Sequence, residues 1–118
     1  MDKNNTFQDR LVKYSIDILL FIKKLPKEKL FWSVSDQLLR SATSIGANII
    51  GAKSASSKRD FVKFYEIALK SANETIYWFE IIKEIVSSNM LNDIKMLQME
   101  TKELANIIAA SVLTMKGK

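Results

Sequence analysis

The chain has 118 residues and a net charge of +5, from 18 Lys and Arg against 13 Asp and Glu, with no Cys and no His. This length suits one domain. The missing residues exclude a disulfide framework, Cys-based zinc sites and Ser-His-Asp or Cys-His nucleophile pairs, and disfavour a di-iron bundle built from Glu and His.

Hydrophobic residues make up 47%, enough for a core. One Pro and three Gly are too few for a turn-rich β protein and suit long helices. The longest apolar runs, such as Ile18 to Ile22, fall short of the roughly 20 residues that span a bilayer. The first ten residues are polar, unlike a signal peptide, so a cytoplasmic protein is the expectation.

Three capping-box patterns, Thr6-x-x-Asp9, Ser33-x-x-Asp36 and Ser57-x-x-Asp60, precede apolar stripes and predict helix starts. The first stripe is Phe7, Leu11, Tyr14, Ile18, Phe21 and Leu25, a heptad seam ended by Pro26. The second is Leu38, Ala42, Ile45, Ile49 and Ala52. The third runs through Phe61, Tyr65, Ala68, Ala72, Thr75, Phe79, Ile82 and Val86. A fourth, from Ile94 to Met115, follows an N-cap at Asn89 or Asn92. No segment alternates with period two. The spacing predicts helices over about 6–25, 33–53, 57–88 and 91–116. Short connections then give an all-α, antiparallel up-down-up-down four-helix bundle.

The segment Gly46 to Ser54, GANIIGAKS, comes close to a phosphate-binding loop. Such a loop needs a preceding strand and Lys directly after the second Gly. Here Ala52 intervenes before Lys53, and the apolar face runs through both glycines, so the segment reads as helix. A nucleotide-dependent enzyme using Lys53 stays a remote alternative. No constellation of residues suggests catalysis, a metal or a cofactor, and a non-enzymatic protein is expected.

Three surface or core features stand out. Between Arg40 and Lys70 lie six cations (Arg40, Lys53, Lys58, Arg59, Lys63, Lys70) and two acids, a pattern that can neutralise phosphates. Asn48, a poor helix former amid apolar residues, calls for partners if buried; Ser44, Arg40 and Glu74 are the candidates for a polar core network that fixes register. Past Asn73 the apolar arc of the third helix widens to roughly 160°, beyond the 100° an ordinary surface helix needs. The surplus, Trp78, Ile81 and Ile85, predicts contact between copies of the chain.

The segments QLLRSATSIGANI (37–49), SSKRDF (56–61) and SANETIYWFEII (71–82) resemble the four-helix bundle proteins encoded in intervening sequences of bacterial 23S ribosomal RNA genes, some called S23 ribosomal proteins. The resemblance covers about residues 10–115. It implies a ring-like homo-oligomer, a pentamer, with RNA or an RNA-associated protein as partner and no established enzyme activity. At the level of the fold, the chain is similar to the accessory variability determinant of diversity-generating retroelements. That similarity implies, as an alternative, an accessory subunit that binds a reverse transcriptase and nucleic acid. One departure stands out: relatives usually carry Glu where this chain has Gly51.

Overall fold

The structure, a computed structural model, describes residues 6–117. It contains four α-helices: α1 (Phe7–Lys23), α2 (Lys29–Gly51), α3 (Lys58–Ile85) and α4 (Leu91–Met115), with single 3₁₀ turns at Ala52–Ser54 and Ser88–Met90. No strand occurs among the described residues.

Two of the helix starts follow the capping pattern. Thr6 Oγ1 accepts from the Asp9 N–H at 3.0 Å, and Ser57 Oγ accepts from the Asp60 N–H at 3.0 Å. The Asp60 carboxylate reaches back to the Ser56 N–H at 3.1 Å, one residue beyond the usual box. The third start differs. Helix α2 begins at Lys29 after Glu28, about a turn before Ser33, which lies exposed inside it. The reason is Phe31: it is buried, and it stands seven residues before Leu38 on the same face. Asp36 pairs instead with Arg40, one turn on, at 2.9 Å. Neither Asn89 nor Asn92 caps α4; Asn89 sits in the 3₁₀ turn whose Met90 is buried and leads directly into the helix.

The side chains that cross between helices establish the topology. Arg10 and Tyr14 of α1 and Lys24 just after it meet Glu103, Thr101 and Asp93 of α4, so the two run in opposite directions. Ser41 and Ser44 of α2 meet Thr75 and Ser71 of α3, and Glu66 and Glu80 of α3 meet Lys116, just past the end of α4, and Gln98 of α4, with the same reversal. Each helix is therefore antiparallel to its neighbours. The predicted stripes supply the core: Leu11, Ile18, Leu38, Ile45, Phe79, Ile82, Ile94, Leu104 and Ile108 are all fully enclosed. Each such side chain contributes roughly 1.5–3 kcal/mol by leaving water. Phe21 and Phe79 meet edge to face at 5.9 Å in the middle of this core.

Of the neighbouring helices, α2 and α3 pack most extensively and α1 and α4 least. Ion pairs close the α1–α4 seam at both ends. Arg10 grips Glu100 with two hydrogen bonds (2.8 and 2.7 Å) and Glu103 with one (2.7 Å), while Lys24 reaches Asp93 at 3.2 Å. Between them, Tyr14 OH lies 2.6 Å from Thr101 Oγ1 in the interior. Thr101 spends its own proton on the Leu97 carbonyl at 2.7 Å, so Tyr14 is the donor.

No helix among the described residues is long and apolar enough to cross a membrane.

Candidate nucleic-acid interface

Gly46 and Gly51 both lie in α2, and Lys53 lies in the 3₁₀ turn after it, donating to Gln8 Oε1 of α1. Nothing in this stretch has the strand–loop–helix form that cradles a phosphate.

The cations divide by element. Arg40 is on α2 and engaged with Asp36. About 20 Å of helix axis separates it from Lys53. Lys58, Arg59, Lys63 and Lys70 are all exposed on α3 and make no ion pair among the described residues. At 100° per residue, Arg59, Lys63 and Lys70 fall within about 40° of one another, forming a row along the outer face. Glu66 interrupts that row, but Lys116, the residue after α4, neutralises it at 2.5 Å. The row therefore stays cationic over its length.

Tyr77 stands at the far end of the row, seven residues after Lys70 and on the same line. Its side chain is 58% exposed although it sits mid-helix. Trp78 packs half-buried against the core and meets the Tyr77 ring edge-on, with centroids 5.1 Å apart and planes at 71°. Lys70, Asn73, Glu74, Tyr77 and Trp78 line an open depression of about 570 Å³. In the sequence no ladder of aromatics accompanies the basic segment, and Tyr77 has no Lys four residues on; it lies seven residues beyond Lys70, on the same helical line.

The polar pairs between α2 and α3 differ from the proposed network. Asn48 Nδ2 donates to the Ser44 carbonyl at 2.8 Å and to Ser44 Oγ at 2.9 Å. Ser44 Oγ in turn lies 2.9 Å from Ser71 Oγ across the helix pair. One turn earlier, Thr75 Oγ1 lies 2.9 Å from Ser41 Oγ and 2.8 Å from the Ser71 carbonyl. Arg40 and Glu74 take no part in these bonds. They line a small polar pocket of about 160 Å³ above the hydroxyls, with Gln37 and Trp78. Thr75 lies on the buried stripe read from the sequence, and Ser71, buried beside it, lies off that stripe.

Of the proposed contact residues, Trp78 and Ile81 are half-buried and only Ile85 is exposed. Larger exposed apolar surface lies on α1, where Val12, Ile16 and Leu19 form a second stripe at steps of four and three, each about half exposed. Together with Gly46, Ala47 and Ile50 of α2 they border a shallow apolar groove. A polar-ended depression of about 710 Å³ lies along the α1–α4 seam, with Met96 and Met99 on its rim. Among the described residues, no group of three or more acidic side chains is placed to hold a metal ion.

No curated protein matches the sequence. A solved structure does: a protein with unknown function from the S23 ribosomal protein family of Bacteroides thetaiotaomicron, 32% identical, with a TM-score of 0.80, covering 91% of this chain and 98% of its own. The family model described as 23S rRNA-intervening sequence protein matches residues 3–110. With nearly the whole helical bundle matched, the chain belongs to the 23S rRNA-intervening sequence protein family.

Proposed function

We propose that this protein is a non-enzymatic binding protein that associates with RNA through the outer face of α3. The observation that carries the reading is the row of Arg59, Lys63 and Lys70, flanked by Lys58, exposed and without ion partners among the described residues. Cations held in a line on a rigid helix release counterions when phosphates replace water and salt around them. With three or four such contacts to a single strand, log affinity falls against log salt with a slope of about −2 to −3. Fluorescence polarisation with a labelled RNA across a salt series measures that slope. Arg59→Glu with Lys63→Glu abolishes binding; unchanged binding would place the site elsewhere.

The protein acts as a homo-oligomer, which multiplies the basic row. Support comes from the α1 stripe of Val12, Ile16 and Leu19, apolar surface of a kind that self-association covers. Sedimentation velocity at low micromolar concentration gives a mass above that of the monomer. Ile16→Glu with Leu19→Glu reduces it to the monomer, while Ile85→Glu leaves the assembly intact. The opposite pair of results would return the contact to α3.

A further inference from the structure

We propose that Tyr77 is a base-stacking platform at the end of the α3 cation row, so that the nucleic acid bound there is single-stranded. The inference rests on the RNA-binding reading and adds the class of ligand. Four features of the site lead to it.

The first is exposure without an evident structural return. A tyrosine is a large apolar body with a polar tip, and it normally buries the ring. Here the residue is more than half exposed and its hydroxyl makes no hydrogen bond among the described residues. The second is rigidity. Trp78, packed half-buried against the core, meets the ring edge to face, and Tyr77 presents its surface on a regular helix instead of a loop. The third is alignment. Arg59, Lys63, Lys70 and Tyr77 share one helix face over about 27 Å, placing phosphate-binding groups and an aromatic on one path. The fourth is local polarity. Asn73 and Glu74 flank the ring within the same depression. The Glu74 carboxylate repels a phosphate and accepts from the N–H donors on a base edge, the ring N3–H of uracil and thymine included, so a base and not the backbone fits beside Tyr77.

A duplex cannot use this arrangement. Its base faces are stacked on one another, and the major groove of A-form RNA is too deep and narrow for side chains to read. A single strand offers a base face to any exposed ring, with little dependence on sequence or sugar.

The test uses the full chain and fluorescein-labelled oligouridine, oligodeoxythymidine and an RNA duplex of equal length. Single strands of both sugars bind more tightly than the duplex. Tyr77→Ala weakens single-strand binding roughly tenfold or more and leaves the duplex affinity unmoved. Tyr77→Phe, which keeps the ring, brings single-strand affinity back to within about threefold of wild type, since stacking uses the π-face. In a Trp32→Phe background Trp78 is the sole tryptophan, and single strands quench its emission. Wild-type-like single-strand binding by Tyr77→Ala overturns the platform while leaving the cation row standing. Equal loss for duplex and single strand also overturns it. If wild type binds none of the three probes, the RNA reading itself fails.

Discussion

The edge of the Phe64 ring covers the end of α2 so closely that a Cβ on Gly51 would lie 3.1 Å from Phe64 Cε1. The Gly51 backbone is ordinary right-handed helix, with φ −60° and ψ −28°, so glycine is not needed for its conformation. It is needed for Phe64. Gly51→Ala should therefore gain less than the ~1 kcal/mol that the change brings in an open helix. In a Phe64→Leu background the gain should be larger by on the order of 0.5 kcal/mol. Urea denaturation of the four proteins gives the coupling; strict additivity would mean that the ring does not press on this site.

Gly46 behaves differently. A Cβ there would meet Leu11 Cβ at 3.5 Å and Ser15 Oγ at 3.8 Å, ordinary contacts. Gly46→Ala should stabilise the bundle by about 0.4–1 kcal/mol, because the unfolded chain loses freedom and the folded one loses nothing. Gly46→Leu should destabilise it, because further atoms would run into Leu11 of α1. A thermal melt distinguishes the two directions.

Tyr14 should make stability fall at high pH. Burial pushes its phenol well above the ordinary value, and the nearby Glu100 carboxylate adds to this. The folded state holds the neutral phenol while the unfolded chain ionises near pH 10. The stabilisation is complete below about pH 10 and disappears as pH rises through the folded-state value. Tyr14→Phe should cost about 1 kcal/mol at pH 7 through the lost bond to Thr101. It should also flatten the alkaline limb of a stability–pH curve; an unchanged limb would assign that limb to other groups.

Ser57 and Ser33 share a sequence pattern and should not share a phenotype. Ser57→Ala removes a cap and should cost about 1 kcal/mol. Ser33 is exposed within α2, and Ser33→Ala should be neutral or stabilising by a few tenths of a kcal/mol. Chemical denaturation of both variants reads the contrast directly.

Arg10 should govern how tightly α1 stays on the bundle. Its forked bond to Glu100 and third bond to Glu103 close the N-terminal end of a seam where the helices otherwise meet loosely. Arg10 is a third exposed, so solvent screens the pair, and Arg10→Gln should cost at most about 1 kcal/mol. Amide exchange should quicken in α1 before it does in α2 or α3. Uniform acceleration would show that α1 does not open by itself.

The apolar stripes, read from one sequence, determined most of this bundle. Residues spaced at threes and fours must share a face, and a buried face is the strongest local demand on a helix. Hence Leu11, Ile18, Leu38, Ile45, Phe79 and Ile108 are core both by pattern and in the structure. The slipped glycine motif was legible as helix for the same reason. Caps were legible less well: Ser33-x-x-Asp36 fits the pattern, but the burial of Phe31 outweighs a cap, and α2 starts earlier.

Only the tertiary structure decided which polar groups meet. Asn48 finds its partner one turn back in Ser44, and Ser71 completes the link across α3, while Arg40 and Glu74 stay at the rim. Interhelical distance at that level sets the outcome, and one-dimensional spacing does not encode it. The same holds for Tyr77. Its place in line with the cations is a matter of helix period, but its exposure and its bracing by Trp78 depend on how α3 is turned against its neighbours.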